Sequence, residues 1–355
     1  MRQKPFPTNH IIGRQSELKQ ACQILSADGD MLLAGVPGIG RKTLIRTAAA
    51  ACHTKVIEID CLKATSYQRF LNLMAMAFTR GFDSPRERRC IAQWSQAPLQ
   101  FDPHRCPQLT WGSAPNWEIF QLLLALPQLI AETLNYRVVL VLQNFPHLRS
   151  WDKQQQWATQ LKHQIHIQPR VSYTLIATVA ESSGAHPEMS VLSLKPLAHG
   201  IMTKWFTQSF ETTGIIVAAD AATQFAHYVQ GNFGEAIALA QRIRLEHQTQ
   251  PAQTTIQRPA IHTSAIKLVE DLAVTFESLI LLLPPTQIRV LESLALDPTD
   301  RPHAQEYRSK HDLSRGGTLQ GALSSLIQKG LIYDAEENYR VALPLLALWL
   351  KHRLQ

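Results

Sequence analysis

Residues Met31 to Arg46 read MLLAGVPGIGRKTLIR, an apolar strand followed by a glycine-rich turn and a helix start. A loop of the form G-x-x-x-x-G-K-[ST] turns backbone N–H groups towards phosphate oxygens. It also sets a lysine on the β/γ-phosphates and gives a hydroxyl to Mg²⁺. Gly35, Gly38 and Gly40 keep such a loop, with Val36, Pro37 and Ile39 between them, but Arg41, Lys42 and Thr43 follow. Two registers are open. With Gly40 as the last loop glycine, Arg41 stands in the lysine position and Lys42 in the hydroxyl position, where an ammonium repels Mg²⁺. With the loop slipped by one residue, Lys42 and Thr43 regain their roles and Arg41 fills the glycine position. The first register gives a protein shaped like an ATPase; the second gives an ATPase.

The flanking segments carry the other stations of nucleotide chemistry. Ile11 and Ile12, an apolar pair that can flank an adenine, precede a turn at Gly13 and Arg14. Ser16 and Glu17 equally suit an ordinary first helical turn. Arg137 to Phe145 (RVVLVLQNF) is a continuous apolar strand of the kind buried in a parallel sheet, where ligands bind at the carboxyl ends of strands. P-loop ATPases hold Mg²⁺ and orient the attacking water with acids at such a strand end. Gln143 and Asn144 stand here instead, and the nearest downstream carboxylate is Asp152. Ser172 to Val179 (SYTLIATV) reads as a further buried strand, and Thr178 near its end could face a γ-phosphate as a sensor, although a strand threonine is commonplace. Lys55 to Asp60 (KVIEID) reads as a further strand.

The elements that must position these residues fit a soluble α/β protein. The chain has 355 residues, room for two or three domains, with 45% hydrophobic and 18% charged residues. No apolar run reaches the ~18 residues of a membrane span, and the first residues contain no apolar signal core, so a cytoplasmic location is expected. The five cysteines are scattered without C-x-x-C spacing and read as reduced core thiols. His104 and Cys106 lack two further ligands for zinc. A net charge of +7 permits an acidic partner without establishing one.

Apolar positions at helical period from Pro196 to Arg244 predict a small helical lid, and Gln248 to Pro259 reads as a polar linker. From Pro284 three amphipathic helices precede LIYDAEENYRVAL, two short strands around a turn at Ala335 to Asn338, which together predict a winged helix. Its third helix would offer Arg315, Thr318 and Gln320 to bases or phosphates, with Arg308, Lys310 and Lys329 on the DNA backbone. Asp334, Glu336 and Glu337 on the wing would repel phosphates, so a protein-binding winged helix stays open. Between residues 79 and 116, Arg80, Arg86, Arg88, Arg89 and Arg105 accompany Trp94, Trp111 and Trp117. That combination either grips single-stranded nucleic acid or is an insertion packed on the core.

The order of IIGRQSEL, LLAGVPGIGRKTLI, VVLVLQNFPHL, LSLKPL and GIIVAADAATQFAHYVQGNFGEAIALAQRI resembles AAA+-like ATPases of the STAND and archaeal-ATPase group, related to origin-recognition initiators. The resemblance implies an α/β fold: a P-loop parallel sheet with helices on both faces, a helical lid and a C-terminal winged helix. The implied boundaries are 1–195, 196–247, a connection at 248–283, and 284–355. The family has Lys then Thr or Ser after the loop, acids at the strand end, and often a sensor arginine after a Gly-Asn turn. This chain has Arg41 and Lys42, Gln143 and Asn144, and Gly234 after Gly231-Asn232-Phe233. The expectation is a scaffold that binds ATP or ADP without needing Mg²⁺, hydrolyses little or none, and acts through DNA or a protein partner, with no membrane role and oligomerisation left open. The alternatives are an active switch with a slipped loop and a winged-helix transcription factor with a vestigial core.

Overall fold

Short continuous apolar runs, too short for buried helices, become the parallel sheet. The computed structural model describes residues 11–94, 98–102, 106–113, 115–165, 167–178, 189–248 and 255–354. The chain divides into two units, one formed by Arg14–Ala34 with Lys42–Ser193, the other by Met1–Gly13, Gly35–Arg41 and Leu194–Gln355.

The first unit contains strands β1 (Met31–Ala34), β2 (Lys55–Asp60), β3 (Leu99–Asp102), β4 (Cys106–Trp111), β5 (Val138–Gln143), β6 (Val171–Ala177) and β7 (Ser190–Ser193). Five of them form a parallel sheet in the order β2-β5-β6-β1-β7, while β3 and β4 pair as a separate antiparallel hairpin. The helices are α1 (Gln15–Ser26), α2 (Arg41–Ala51), α3 (Tyr67–Gly81), α4 (Pro85–Trp94), α5 (Asn116–Leu134) and α6 (Gln156–Ile165). Val138, Leu140 and Leu142 of β5 join Phe70, Phe78 and Phe120 of α3 and α5 in one core. The intervening Val139 and Val141 point the other way and are also fully buried. Both faces of the sheet are therefore covered, which is why β5 reads as unbroken hydrophobic sequence rather than as an alternation.

The unit has a titratable device at its sheet. Asp30, just ahead of β1, accepts the Tyr173 backbone N–H at 2.7 Å, and burial pushes its carboxyl up to about 7.

In the second unit, α7 (His199–Glu211), α8 (Ala219–Val229) and α9 (Phe233–Gln248) pack on one core in the segment expected to be a lid. Phe206 stacks on Phe225 with ring centroids 3.9 Å apart. Strand β8 (Ile216–Val217) pairs in parallel with β9 (Thr255–Ile256), so the end of the segment read as linker is a strand. Residues 249–254 of that linker lie outside the described residues. A long helix, α10 (Arg258–Leu281), leads to α11 (Pro285–Leu296), α12 (Gln305–Lys310), α13 (Gly317–Gln328) and α14 (Pro344–Leu354). Helix α12 ends at Lys310, and Asp312 just after it takes a left-handed backbone, φ 49°, that the helix cannot continue through. The two expected wing strands are reduced to single bridges, Ile332 with Val341 and Thr299 with Tyr339. Among the described residues no helix is long and apolar enough to cross a membrane.

Asp30 yields a pH prediction. Its folded value lies above the ordinary carboxylate value of about 3.9. Its contribution to stability is therefore complete below about pH 4 and is lost as pH rises through 7. Relative to their stability at pH 4, melts of the parent should show a larger loss by pH 8 than melts of Asp30→Asn, which lacks the titrating carboxyl. Parallel decline of both proteins would refute the assignment.

Candidate nucleotide-binding site

The glycine loop uses the backbone freedom its sequence implies. Gly35, Gly38 and Gly40 have φ of 151°, 81° and 102°, and α2 opens at Arg41. Gly40 therefore ends the loop, Arg41 occupies the first helical position and Lys42 the second. The slipped register needs Arg41 in the glycine conformation, whereas Arg41 begins the helix. Burial lowers the Arg41 guanidinium to about 10, still a cation at neutral pH.

The loop is held by the lid. Asn232, 1% exposed, donates from Nδ2 to the Pro37 carbonyl at 3.0 Å and to the Ala342 carbonyl at 3.4 Å. The Gly234 N–H donates to the Gly38 carbonyl at 2.8 Å. A Cβ on Gly234 would lie 2.9 Å from Gly38 Cα, and one on Gly38 would lie 2.3 Å from Asn232 Oδ1. No arginine fits at position 234 with this backbone approach. Next along α9, Glu235 accepts the Leu345 N–H at the start of α14 at 2.8 Å, and burial pushes its carboxyl up to about 8.

Asn232 and Glu235 are residues that sequence reading missed. The signal existed, because Asn-x-x-Glu before an apolar helix is a capping-box pattern, and the Glu235 N–H does donate to Asn232 Oδ1 at 3.3 Å. In the same unit Ile12 packs against the lid core, and a Cβ on Gly13 (φ 64°) would meet Ile201 at 2.6 Å. Arg14, in the other unit, is buried at the start of α1 and bonds Glu17 at 2.8 Å.

At the carboxyl end of β5 the neighbouring strand changes the chemistry expected there. Gln143 Nε2 donates to Glu58 at 2.8 Å, and Asn144 Nδ2 donates to Asp60 at 2.8 Å. The parallel register sets Asp60 opposite Gln143 and Glu58 opposite Val141. The acids nearest the two amides thus come from β2. Asp152 is instead buried as a cap, accepting the Ala158 N–H at 2.9 Å. Arg46 grips both oxygens of Glu58, with Nη2 at 2.6 Å. Lys42, Arg46, Glu58, Asp60 and Gln143 line one groove. Among the described residues no cluster of three acidic, histidine or cysteine side chains could hold a metal. This donor set does not fit Mg²⁺, since an exposed ammonium and an amide face the groove and both nearby carboxylates are engaged. Thr178 lies one residue beyond β6, half-buried.

The winged helix presents fewer free groups than its sequence suggests. Arg315, Thr318 and Gln320 are exposed around the start of α13, with Gln320 bonded to His303 at 3.0 Å. Lys310 is held by Asp297 at 2.7 Å, Lys329 by Gln287 at 2.6 Å, and Arg308 by the His303 carbonyl at 3.0 Å. On the wing, Lys195 pairs with Glu337 at 3.2 Å and Glu336 at 3.8 Å, which offsets part of the acidic charge.

Among the tryptophans of residues 79–116 and just beyond, Trp94 packs on the core, and Trp117 sits in an aromatic cluster 5.6 Å from Trp157. Arg105 and His104 lie outside the described residues.

Residues 274–352 match the family described as "Probable winged helix domain". The Walker-type ATPase PabY2304 of Pyrococcus abyssi is similar over 99% of both chains, with a TM-score of 0.71 and 14% identity. The fold is that of a Walker-type ATPase with a C-terminal winged helix. The Aeropyrum pernix ORC1 protein, solved in complex with DNA, shares 14% identity, covering 98% of this chain and 95% of that one with a TM-score of 0.52. No curated protein matches the chain by sequence. The chain keeps the glycine loop, follows it with Arg41 and Lys42, and ends β5 in Gln143 before Asn144.

Removing the Asn232 amide leaves two buried carbonyls without their donor. Asn232→Ala should lower unfolding free energy in urea titrations by about 1–3 kcal/mol, the range for a buried group losing its partner. A change within error would show that the bridge carries no stability.

Proposed function

We propose that this chain binds ATP or ADP through a phosphate site that works without a metal, and that it serves as a nucleotide-held scaffold on DNA with little or no hydrolysis. One observation carries the reading: Lys42, in the position that serves Mg²⁺ in working ATPases, lines the same groove as Gln143 and an Arg46–Glu58 ion pair. The left-handed glycines and the helix start at Arg41 supply N–H donors and a positive helix end. Arg41 and Lys42 supply two positive charges that suit phosphate oxygens. Hydrolysis needs a carboxylate or equivalent to orient water and a metal to gather developing charge. Glu58 and Asp60 are already committed to Arg46, Gln143 and Asn144.

Purified protein should therefore show no steady ATP turnover approaching the ~1 s⁻¹ of slow competent enzymes. It should still bind millimolar ATP in calorimetry, and Lys42→Ala should weaken that binding by about tenfold, the worth of one charge-assisted contact. Turnover at that rate which Lys42→Ala abolishes would favour the active-switch reading instead.

For the winged helix we favour DNA over a protein partner, because Arg315 and Thr318 are exposed at the start of α13 and have no side-chain partner among the described residues. The solved ORC1 relative was in complex with DNA, which agrees with that reading. In duplex gel shifts across a salt series, Arg315→Ala should weaken binding and flatten the salt slope by about 0.9, one phosphate contact. Lys310→Ala should do less, because Asp297 already holds that ammonium. Equal affinity of wild type and Arg315→Ala at every salt concentration would turn the assignment towards protein contact.

A further inference from the structure

The groove lined by Lys42, Gln143 and the Arg46–Glu58 pair continues along α3, a stretch that neither the glycine loop nor the winged helix explains. It is open, with a volume of about 1,940 Å³, and runs between the outer edge of β2 and strand β4 of the hairpin. Small-molecule pockets hold roughly 300–1,000 Å³, so a volume of this size suits a chain rather than a compact ligand. Its charged lining is Lys42, Arg46, Lys63, Arg69 and Arg80 against Glu58 and Asp60.

Both carboxylates are occupied within the fold. Arg46 and Gln143 take Glu58, and Asn144 and the Leu62 N–H take Asp60. Lys42, Lys63, Arg69 and Arg80 are exposed and have no ion-pair partner among the described residues. The groove therefore carries an excess of uncompensated cations.

Their placement on the helix is regular. Arg69, Asn72, Met76 and Arg80 fall at i, i+3, i+7 and i+11, a single face of α3 turned away from the buried Phe70, Met74 and Phe78. The two arginines are separated by roughly 16 Å at 1.5 Å per residue. Lys63 precedes the helix, extending the line of charge beyond Arg69. On the hairpin side the lining is Gln108, Thr110 and Trp111, whose indole is partly buried against the core of the unit and turns its remaining surface to the groove. Spaced cations, neutral hydrogen-bonding side chains and an indole at the groove wall form the combination that tracks a phosphodiester backbone and stacks a base.

We propose that the α3–β4 groove binds single-stranded nucleic acid. Among the described residues, Arg80 and Trp111 are the only ones of the arginines and tryptophans singled out between residues 79 and 116 that line it. Most of its cations come from before that segment. The proposal does not rest on the nucleotide reading or on the winged helix, since Arg69 and Arg80 belong to neither.

The test is fluorescence anisotropy of a labelled oligothymidylate of about 20 nucleotides, titrated with the full chain from about 50 to 200 mM salt. Wild type should bind, with affinity falling as salt rises. Arg69→Ala/Arg80→Ala should weaken binding by about tenfold or more and flatten the salt slope by about 1.4, at 0.7 per phosphate contact on a single strand. Both side chains are exposed, so the melting temperature should hold. Arg315→Ala should leave this binding intact, which separates the groove from the winged helix. Equal affinity of the double variant and wild type would overturn the proposal. So would a duplex competing as well as the single strand, or polyglutamate displacing the oligonucleotide at equal charge concentration, which would assign the groove to an acidic protein segment.

Discussion

A buried primary amide has two N–H donors and a carbonyl that must all find partners, because each unpaired group costs its desolvation. Asn232 meets that demand by bridging three places in one unit: the glycine loop at Pro37, the segment before the last helix at Ala342, and its own helix start at Glu235. The loop's conformation follows from this bridge, since Gly38 is forced against Asn232 and Gly234 with no room for a Cβ. Glu235 extends the same link by capping α14 at Leu345. The glycine at 234, which looks like the loss of a sensor arginine, is a packing requirement of this arrangement. The phosphate loop and the end of the winged helix are thereby tied through one side chain and its neighbour.

Charge in the groove beside β2 and β5 follows a consistent logic. An ammonium at position 42 and a carboxylate at position 143 would attract each other and leave less of either for a ligand. The chain places an amide at 143 and moves its acids one strand over, where Arg46 neutralises Glu58. Removing a single preorganised donor from an active site costs about 10²–10³ in rate. On the proposed function, the changes at positions 42, 143–144 and 234 act together, so their cost to hydrolysis compounds while Arg41, Lys42 and the backbone N–H groups still attract phosphate.

Much of the sheet was legible because its strands carry their own signal. VVLVL is buried on both faces and reads as such, and the three loop glycines predict left-handed turns that the backbone adopts. Two things were not legible. Strand order decides which acid stands beside Gln143, and nothing local in KVIEID says that Glu58 and Asp60 will pair with β5 residues more than eighty positions away. Nearness in sequence pointed instead to Asp152, which caps a helix. The second was side-chain competition: Lys310, Lys329 and Arg308 look like free cations in the sequence, and each has an acceptor within the fold. The wing is paired more briefly than its strand-like residues suggest, with one bridge across the turn, Ile332 to Val341, and a second from Tyr339 back to Thr299.

In the proposed site, phosphate is held by the protein's own cations rather than by a metal. The direct measurement is a calorimetric titration of ATP into wild type and Lys42→Thr/Gln143→Asp, each with Mg²⁺ and with EDTA. Wild type should bind equally in both buffers, and the double variant, which restores a hydroxyl and an acid, should bind more tightly with Mg²⁺ than without it. Wild-type binding that disappears in EDTA would contradict the metal-free phosphate site.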